Sequence, residues 1–368
     1  MRVLRRKLVR DMRRQRAQYG AVVITIFLGV TLFGASFDAY RNLKASYAEA
    51  FTRYHFANLT VSGGSTARIA RLAAGTPGVQ SVSTRTQTDL PIQIGKSKLL
   101  GRVVGMPRGV QPGVNRVEVT SGRYLPASGF DVALADRHLA DYFKLAPGGK
   151  VLVRGSAGAV TLTVAGVATS PEYFWPARNR QQILVSASDF GVLYVPERTA
   201  RRLAGVVGPN QVAIYYQGGR DDTALDGRLT RLVESAGARA VVTREQQPSN
   251  SALQEDVSGF GELAFMFPLL FLTAAALAAT VLLNRLVTAQ RPIVGMLRAS
   301  GFSRRQVLAH YVGFGVVTGT AGSVAGAIAG VLLAGEITHL YTRALSIPVV
   351  VSGVSPLTPM LGIAFGLV

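Results

Sequence analysis

The sequence of 368 residues contains no cysteine, a single tryptophan and little charge, with Asp, Glu, Lys and Arg together making up 16% of it. Without cysteine there is no disulfide scaffold, no thiolate metal site and no thiol nucleophile. Charge this sparse beside 48% hydrophobic residues falls below the roughly one quarter usual in soluble domains, and points to a membrane protein with a sizeable water-facing part. Acids are the scarcer sign: 20 Asp and Glu stand against 40 Lys and Arg, for a net charge of +20 and a pI near 11.0.

Such a balance would suggest a nucleic-acid partner if the charge covered one folded surface. It is concentrated instead. Arg2, Arg5, Arg6, Lys7, Arg10, Arg13, Arg14 and Arg16 crowd residues 1–16 against Asp11 alone, and Arg285, Arg291, Arg298, Arg304 and Arg305 share residues 285–305 with no acid. Each cluster abuts a long apolar run, so the charge reads as a topology signal and no nucleic-acid partner is expected.

The runs are Ala17 to Phe37, Leu263 to Asn284 and Tyr311 to Gly335, of 21, 22 and 25 uncharged residues. At about 1.5 Å per residue each helix can cross a hydrocarbon core of about 30 Å. A cleaved signal peptide competes for the first run, with Gly34 and Ser36 as small residues at a cleavage site. Its apolar length exceeds the ~7–15 residues of a signal core, so an uncleaved anchor is expected. Arginine-rich flanks stay in the cytoplasm, which places both basic clusters inside and the chain between the first two spans outside.

The expected fold is therefore an integral membrane protein: α-helical spans plus a large extracytoplasmic α+β domain inserted between the first and second spans. In order it comprises a basic cytoplasmic segment 1–16, a span 17–38, a stalk helix 39–56, the α+β domain 57–250 and a second stalk helix 251–262. Next are a span 263–284, a cytoplasmic elbow 285–309, a third span 310–335, an extracytoplasmic loop 336–355 and the start of a fourth, incomplete span 356–368. Pro348, Pro356 and Pro359 leave that last segment only about 13 residues of helix, or ~20 Å, too short to cross, so a longer chain is expected.

Within 57–250, strands are expected at Asn58 to Ser62, Lys150 to Val153, Val160 to Val167, Gln182 to Val185 and Gln211 to Tyr216, and amphipathic helices at Ser65 to Ala74 and Asp222 to Ala236, in one or two lobes. The flanking stalk helices carry apolar stripes: Tyr40, Leu43, Tyr47, Ala50 and Tyr54 on one, Leu253, Val257, Phe260 and Ala264 on the other.

The elbow has its own grammar. Pro292 suits the first turn of a helix, Gly301 the left-handed position just past its end, and Ser303 with Gln306 a capping box that starts the next helix. The third span carries Gly315, Gly319, Gly322, Gly326 and Gly330, spaced for close helix approach to the first span, a second copy or a paired half.

Val294, Gly295, Leu297, Arg298, Ala299, Gly301, Ser303, Arg304, Arg305 and Gln306 resemble the elbow signature of the FtsX-like, or MacB-like, permease family of ABC transporters. "TPGVQSVS" from Thr76, "SGRYL" from Ser121 and "KLAPGGKVLV" from Lys144 resemble turns of that family's external domain. Members commonly carry an acid where Ile293 stands, and longer members hold two such permease units. The resemblance implies a permease subunit in a bacterial cytoplasmic membrane with its N-terminus inside. It also implies a cytoplasmic ABC ATPase docked on Gly295, Leu297, Arg298, Ala299, Gly301, Ser303, Arg304 and Arg305. A second permease copy or half, a membrane-fusion or other extracytoplasmic partner, and lipid are the further partners. ATP-driven movement of the external domain for export or extraction is the implied activity. A non-transporting regulator of an extracytoplasmic partner such as a cell-wall hydrolase is the alternative.

Catalytic chemistry is not expected. Gly95-Lys96-Ser97 imitates a phosphate loop, but Leu90 stands where its first glycine would be, so ATP hydrolysis belongs to another chain. His55, His138, His310 and His339 show no metal-ligand spacing, and no cofactor is expected.

Overall fold

The computed structural model describes residues 8, 10–14, 16–156, 158–179, 181 and 186–367. Arg2, Arg5, Arg6, Lys7, the expected strand at 182–185, the Phe260 side chain and Val368 lie outside the described residues.

In chain order the elements are α1 (Arg16–Arg53), β1 (Leu59–Ser62), α2 (Thr66–Ala74), β2 (Val79–Arg85), β3 (Gln87–Ile94), β4 (Ser97–Met106), β5 (Glu118–Gly122), β6 (Val132–Asp136) and α3 (Arg137–Phe143). Then come β7 (Lys150–Gly155), β8 (Gly158–Thr169), β9 (Phe190–Pro196), α4 (Glu197–Ala204), β10 (Gln211–Tyr216), α5 (Thr223–Ser235) and β11 (Ala240–Thr243). The chain closes with α6 (Pro248–Ala289), α7 (Arg291–Ala299), α8 (Arg304–Ala344) and α9 (Leu357–Leu367). Two compact units result: Met1–Lys44, Val257–Tyr341 and Val350–Val368 in one, Ala45–Asp256 and Thr342–Val349 in the other.

The first unit is helical. Among the described residues α1, α6 and α8 are long and apolar enough to cross a membrane. In α1, Val22, Ile26, Val30 and Phe33 are buried at steps of three and four, while Ile24 and Leu28 on the opposite side are exposed. That is the stripe a helix makes when it packs on neighbours along one face. Phe37 of α1 meets Phe265 of α6 edge to face, with ring centroids 5.4 Å apart. Much of α6 presents apolar side chains outward, including Phe267, Leu270 and Val281. Farther along α1, the buried Asp38 carboxylate accepts from Thr358 Oγ1 at 2.6 Å, and Asn42 Oδ1 accepts from the Gly353 amide at 3.1 Å.

The second unit holds two sheets. The four-stranded sheet, ordered β11-β1-β10-β2, is antiparallel throughout. Ile69 and Ala73 of α2 and Leu225, Leu229 and Val233 of α5 bury one core with it. Two β-α-β units thus share one sheet, and the chain between β2 and β10 builds the other. There the order is β5-β8-β6-β9-β4-β3-β7, and a further pairing of β7 with β8 closes six strands into a ring. Closure leaves those strands without a free edge. Val103, Ala135, Val151, Leu162 and Leu193 fill its core. Thr342–Val349, at the end of the third long helix, also belongs to this unit, and the Thr169 hydroxyl donates to the Ser346 carbonyl at 3.2 Å.

A buried ion pair ties the four-stranded sheet to the turn that follows β8. Arg85, the last residue of β2, makes a two-pronged bond to Glu172 with distances of 2.6 and 2.5 Å, and its Nε donates to Gln211 Oε1 of β10 at 2.6 Å. Both side chains are at most 7% exposed. Burial alone would ease the proton off Arg85; the facing Glu172 carboxylate overrides it and raises the guanidinium's pKa.

Candidate functional site

The elbow is built by two backbone devices placed end to end. Pro292 starts α7, where a missing N–H costs nothing. At its end the Phe302 amide donates to Leu297 O at 3.1 Å and the Gly301 amide to Arg298 O, also at 3.1 Å. This six-to-one and five-to-two pair needs a left-handed residue, and Gly301 supplies it with φ of 90°. Immediately after, the Ser303 amide donates to Gln306 Oε1 at 2.8 Å, and the Gln306 amide to Ser303 Oγ at 3.2 Å. The reciprocal cap satisfies two donors that would otherwise face nothing. Between stop and start there is no slack.

Packing then separates the elbow's faces. Val294, Leu297 and Phe302 lie against Tyr19, Val307, Tyr311 and Phe314. Tyr19 and Phe314 stack with ring centroids 5.4 Å apart, and the Tyr311 hydroxyl donates to Gln290 Oε1 at 2.9 Å. The other face is exposed: Gly295, Arg298, Ala299, Arg304 and Arg305, together with Arg291. Arg298 also donates to the Phe302 carbonyl at 3.1 Å, so it helps hold the turn. The eight candidate residues therefore divide by task. Leu297 packs inward, Gly301 and Ser303 shape the chain, and Gly295, Arg298, Ala299, Arg304 and Arg305 offer surface.

Sequence reasoning missed Met296 and Leu308 and noted Ile293 only for the acid that family members carry there; on the elbow Ile293, Met296 and Leu308 are exposed at 37%, 67% and 64%. Their signal was available: 293 and 296 sit one residue before the inward pair 294 and 297, which puts them on a different helical face. An apolar patch rimmed by arginines suits a protein partner better than water alone.

Of the five glycines of α8 singled out in the sequence, four lie at helix contacts. A Cβ on Gly322 would stand 2.9 Å from Ile26 and from the Val23 carbonyl, one on Gly326 2.8 Å from the Phe27 carbonyl, and one on Gly330 3.1 Å from the Thr31 carbonyl. The partner of these three is α1, whose Gly34 in turn faces Gly330. Gly319 faces the Gly366 carbonyl of α9. Gly315 has nothing within 4 Å of its Cβ position in this chain; near it α1 and α8 meet through large side chains, Tyr19 stacked on Phe314, and the close approach of the two backbones comes farther along, at Gly322. Thr31 Oγ1 adds a bond to the Gly326 carbonyl at 3.3 Å.

The remaining candidates are structural. Gly95-Lys96 is the turn between β3 and β4, with Ile94 paired to Ser97. His55 bonds the Gly113 carbonyl at 2.9 Å and stacks on Tyr215, and His138 bonds the Phe174 carbonyl at 3.1 Å. No group of three potential metal ligands occurs among the described residues.

No curated protein matches the chain. Among solved structures, the periplasmic region of MacB from Actinobacillus actinomycetemcomitans is similar at 15% identity and a TM-score of 0.34, over 54% of this chain and 91% of that one. The extracellular domain of the ABC-type transporter YknZ from Gram-positive bacteria is similar at 16% identity and a TM-score of 0.35, over 50% of this chain and 96% of that one. Residues 265–368, the elbow included, match the family described as FtsX-like permease C-terminal, the family that the elbow's sequence resembles.

Proposed function

We propose that the chain is the membrane-spanning permease subunit of an ABC system in a bacterial cytoplasmic membrane, with its N-terminus and elbow in the cytoplasm. ATP hydrolysis belongs in this reading to a separate cytoplasmic ATPase that docks on the elbow. The observation that carries it is the elbow itself, a rigid helix stop and helix start lying inside the segment that matches the permease family. A docking surface must keep its shape when pushed, and a turn with its backbone donors satisfied does so.

Closure of the ATPases moves the elbow, and the long helices carry that movement outward to the α+β domain. A second permease copy or half completes the pathway, and a membrane-fusion or other extracytoplasmic partner receives the exported or extracted cargo. Affinity purification of the tagged full-length chain from its native membrane, followed by mass spectrometry, tests the reading. A stoichiometric cytoplasmic ATPase is expected with the natural sequence. Arg298→Glu combined with Arg304→Glu is expected to abolish that association at unchanged membrane content. Because Arg298 also bonds the turn, Arg304→Glu with Arg305→Glu serves as a second pair that leaves the turn's bonds intact. Association unaltered in both pairs would sink the assignment.

A further inference from the structure

The second unit holds a cleft that the proposed function does not use. Its volume is about 220 Å³, it is partly open, and it is lined from both sheets, by Thr60, Ser62 and Gln211 on one side and by Gln87 and Arg102 on the other, with Gln247 just before α6. That lining is mostly hydroxyls, amides and guanidiniums. Such walls reject an apolar or lipid ligand, which could not repay their desolvation. A cleft of this size, below the roughly 300–1,000 Å³ of drug-sized pockets, takes a small occupant.

The charges around it do not cancel. Glu172 in the lining is held by Arg85, and Arg102 is held by Asp89 with distances of 2.7 and 2.9 Å. Arg178, also in the lining, reaches among the described residues only the already engaged Asp89 at 4.0 Å, and its side chain is 43% exposed. One guanidinium thus keeps its donor fork uncommitted, the geometry that takes a carboxylate. A dianion would leave one charge uncompensated beside Glu172, so a monoanion fits better. A second unmet need lies nearby. Gln247 Nε2 donates to Glu172 Oε1 at 3.3 Å, which fixes the amide's orientation and leaves the buried Gln247 Oε1 without a partner among the described residues. An unpaired buried acceptor calls for a donor.

We infer that this cleft binds a small hydrophilic monocarboxylate carrying an N–H or O–H donor, with the carboxylate on Arg178 and the donor directed to Gln247. Gln247 immediately precedes α6, a helix of 42 residues whose other end adjoins the elbow, so the ligand takes hold of an element central to the proposed relay. The inference stands independently of ATPase docking, since its residues are distinct from those of the elbow.

The test is calorimetric titration of the full-length protein in lipid nanodiscs with N-acetylalanine and lactate, set against N-acetylalanine N-methylamide and inorganic phosphate. Saturable binding of at least one of the two monocarboxylates is expected, with none for the uncharged amide. Arg178→Gln is expected to weaken it at least about tenfold. Arg178→Lys, which keeps the charge but loses the fork, is expected to fall between. Arg178 is exposed enough for both variants to fold, which an unchanged unfolding temperature in the absence of ligand verifies. No saturation by either acid up to about 50 mM, phosphate binding in their place, equal binding of the amide, or an affinity indifferent to Arg178→Gln each overturns the inference.

Discussion

Asp136 ends β6 and caps α3. Its Oδ1 accepts from the His138 amide at 3.0 Å, while Oδ2 is buried without a partner among the described residues and Asp136 as a whole is 2% exposed. Burial pushes its carboxyl up to about 6, against the pull of His138 and the backbone amides. In the unfolded chain the same group titrates near 3.9. Between about pH 4 and 6 the folded state therefore holds a proton that the unfolded state has released, and stability falls as pH rises through that window. A shift of about two units sets the upper limit of this penalty near 3 kcal/mol. Asparagine caps a helix as well as aspartate does, and does not titrate. Asp136→Asn is expected to be more stable than the natural protein at pH 7, with the difference shrinking toward pH 4. Unfolding temperatures of both forms across that range measure it, and a difference independent of pH would show that the carboxyl does not titrate there.

At the scale of elements, the α1–α8 crossing makes a prediction with an internal control. Leucine at Gly326 would drive a side chain into Phe27 and Val30 of α1, whereas at Gly315 the Cβ position has nothing within 4 Å. Gly326→Leu is expected to destabilise the helical unit by about 1–3 kcal/mol through overpacking, and Gly315→Leu to be close to neutral. Thermal unfolding of the two variants in detergent distinguishes them. The glycine spacing in the sequence announced a close approach but not its partner, because periodicity describes one face of one helix. The elbow was legible in detail, since Pro292, Gly301, Ser303 and Gln306 act through their own backbone neighbours. β10 was equally legible at Gln211–Tyr216, framed by Pro209 and Asn210 before it and Gly218 and Gly219 after. β9 was missed although all of Phe190–Pro196 is buried. A strand covered on both faces shows no alternation, so its period is invisible. β3 was hidden by Asp89 and Pro91. Pro91 is tolerated because only Ile92 and Gln93 pair with β7 on that side, leaving position 91 free of a ladder bond there. The helices also outran their expected ends: α8 continues to Ala344, with Thr338 and Thr342 fully buried, because no proline interrupts it before Pro348.

That extension matters for the whole molecule. α8 begins at the elbow's capping box and runs for 41 residues without a break. The segment Thr342–Val349, which takes in the last turn of α8 and the five residues after it, belongs to the unit of the two sheets and is held there by Thr169. The chain thus offers the proposed relay a third helical route beside α1 and α6, and this one starts at the elbow. An α-helix transmits axial force only while its hydrogen-bond ladder is intact. Proline in its interior removes one bond and clashes with the preceding turn, at a cost of about 3 kcal/mol. Glu336 is exposed, so its replacement disturbs the ladder without opening a core. Glu336→Pro is expected to leave ATPase association at the natural level while lowering transport-dependent ATP hydrolysis several-fold. Glu336→Ala, which keeps the ladder, is expected to behave as the natural protein does. Copurification and hydrolysis assays on reconstituted complexes separate the two steps. Loss of association in Glu336→Pro would assign α8 to docking, and undiminished hydrolysis would leave α1 and α6 to carry the movement alone.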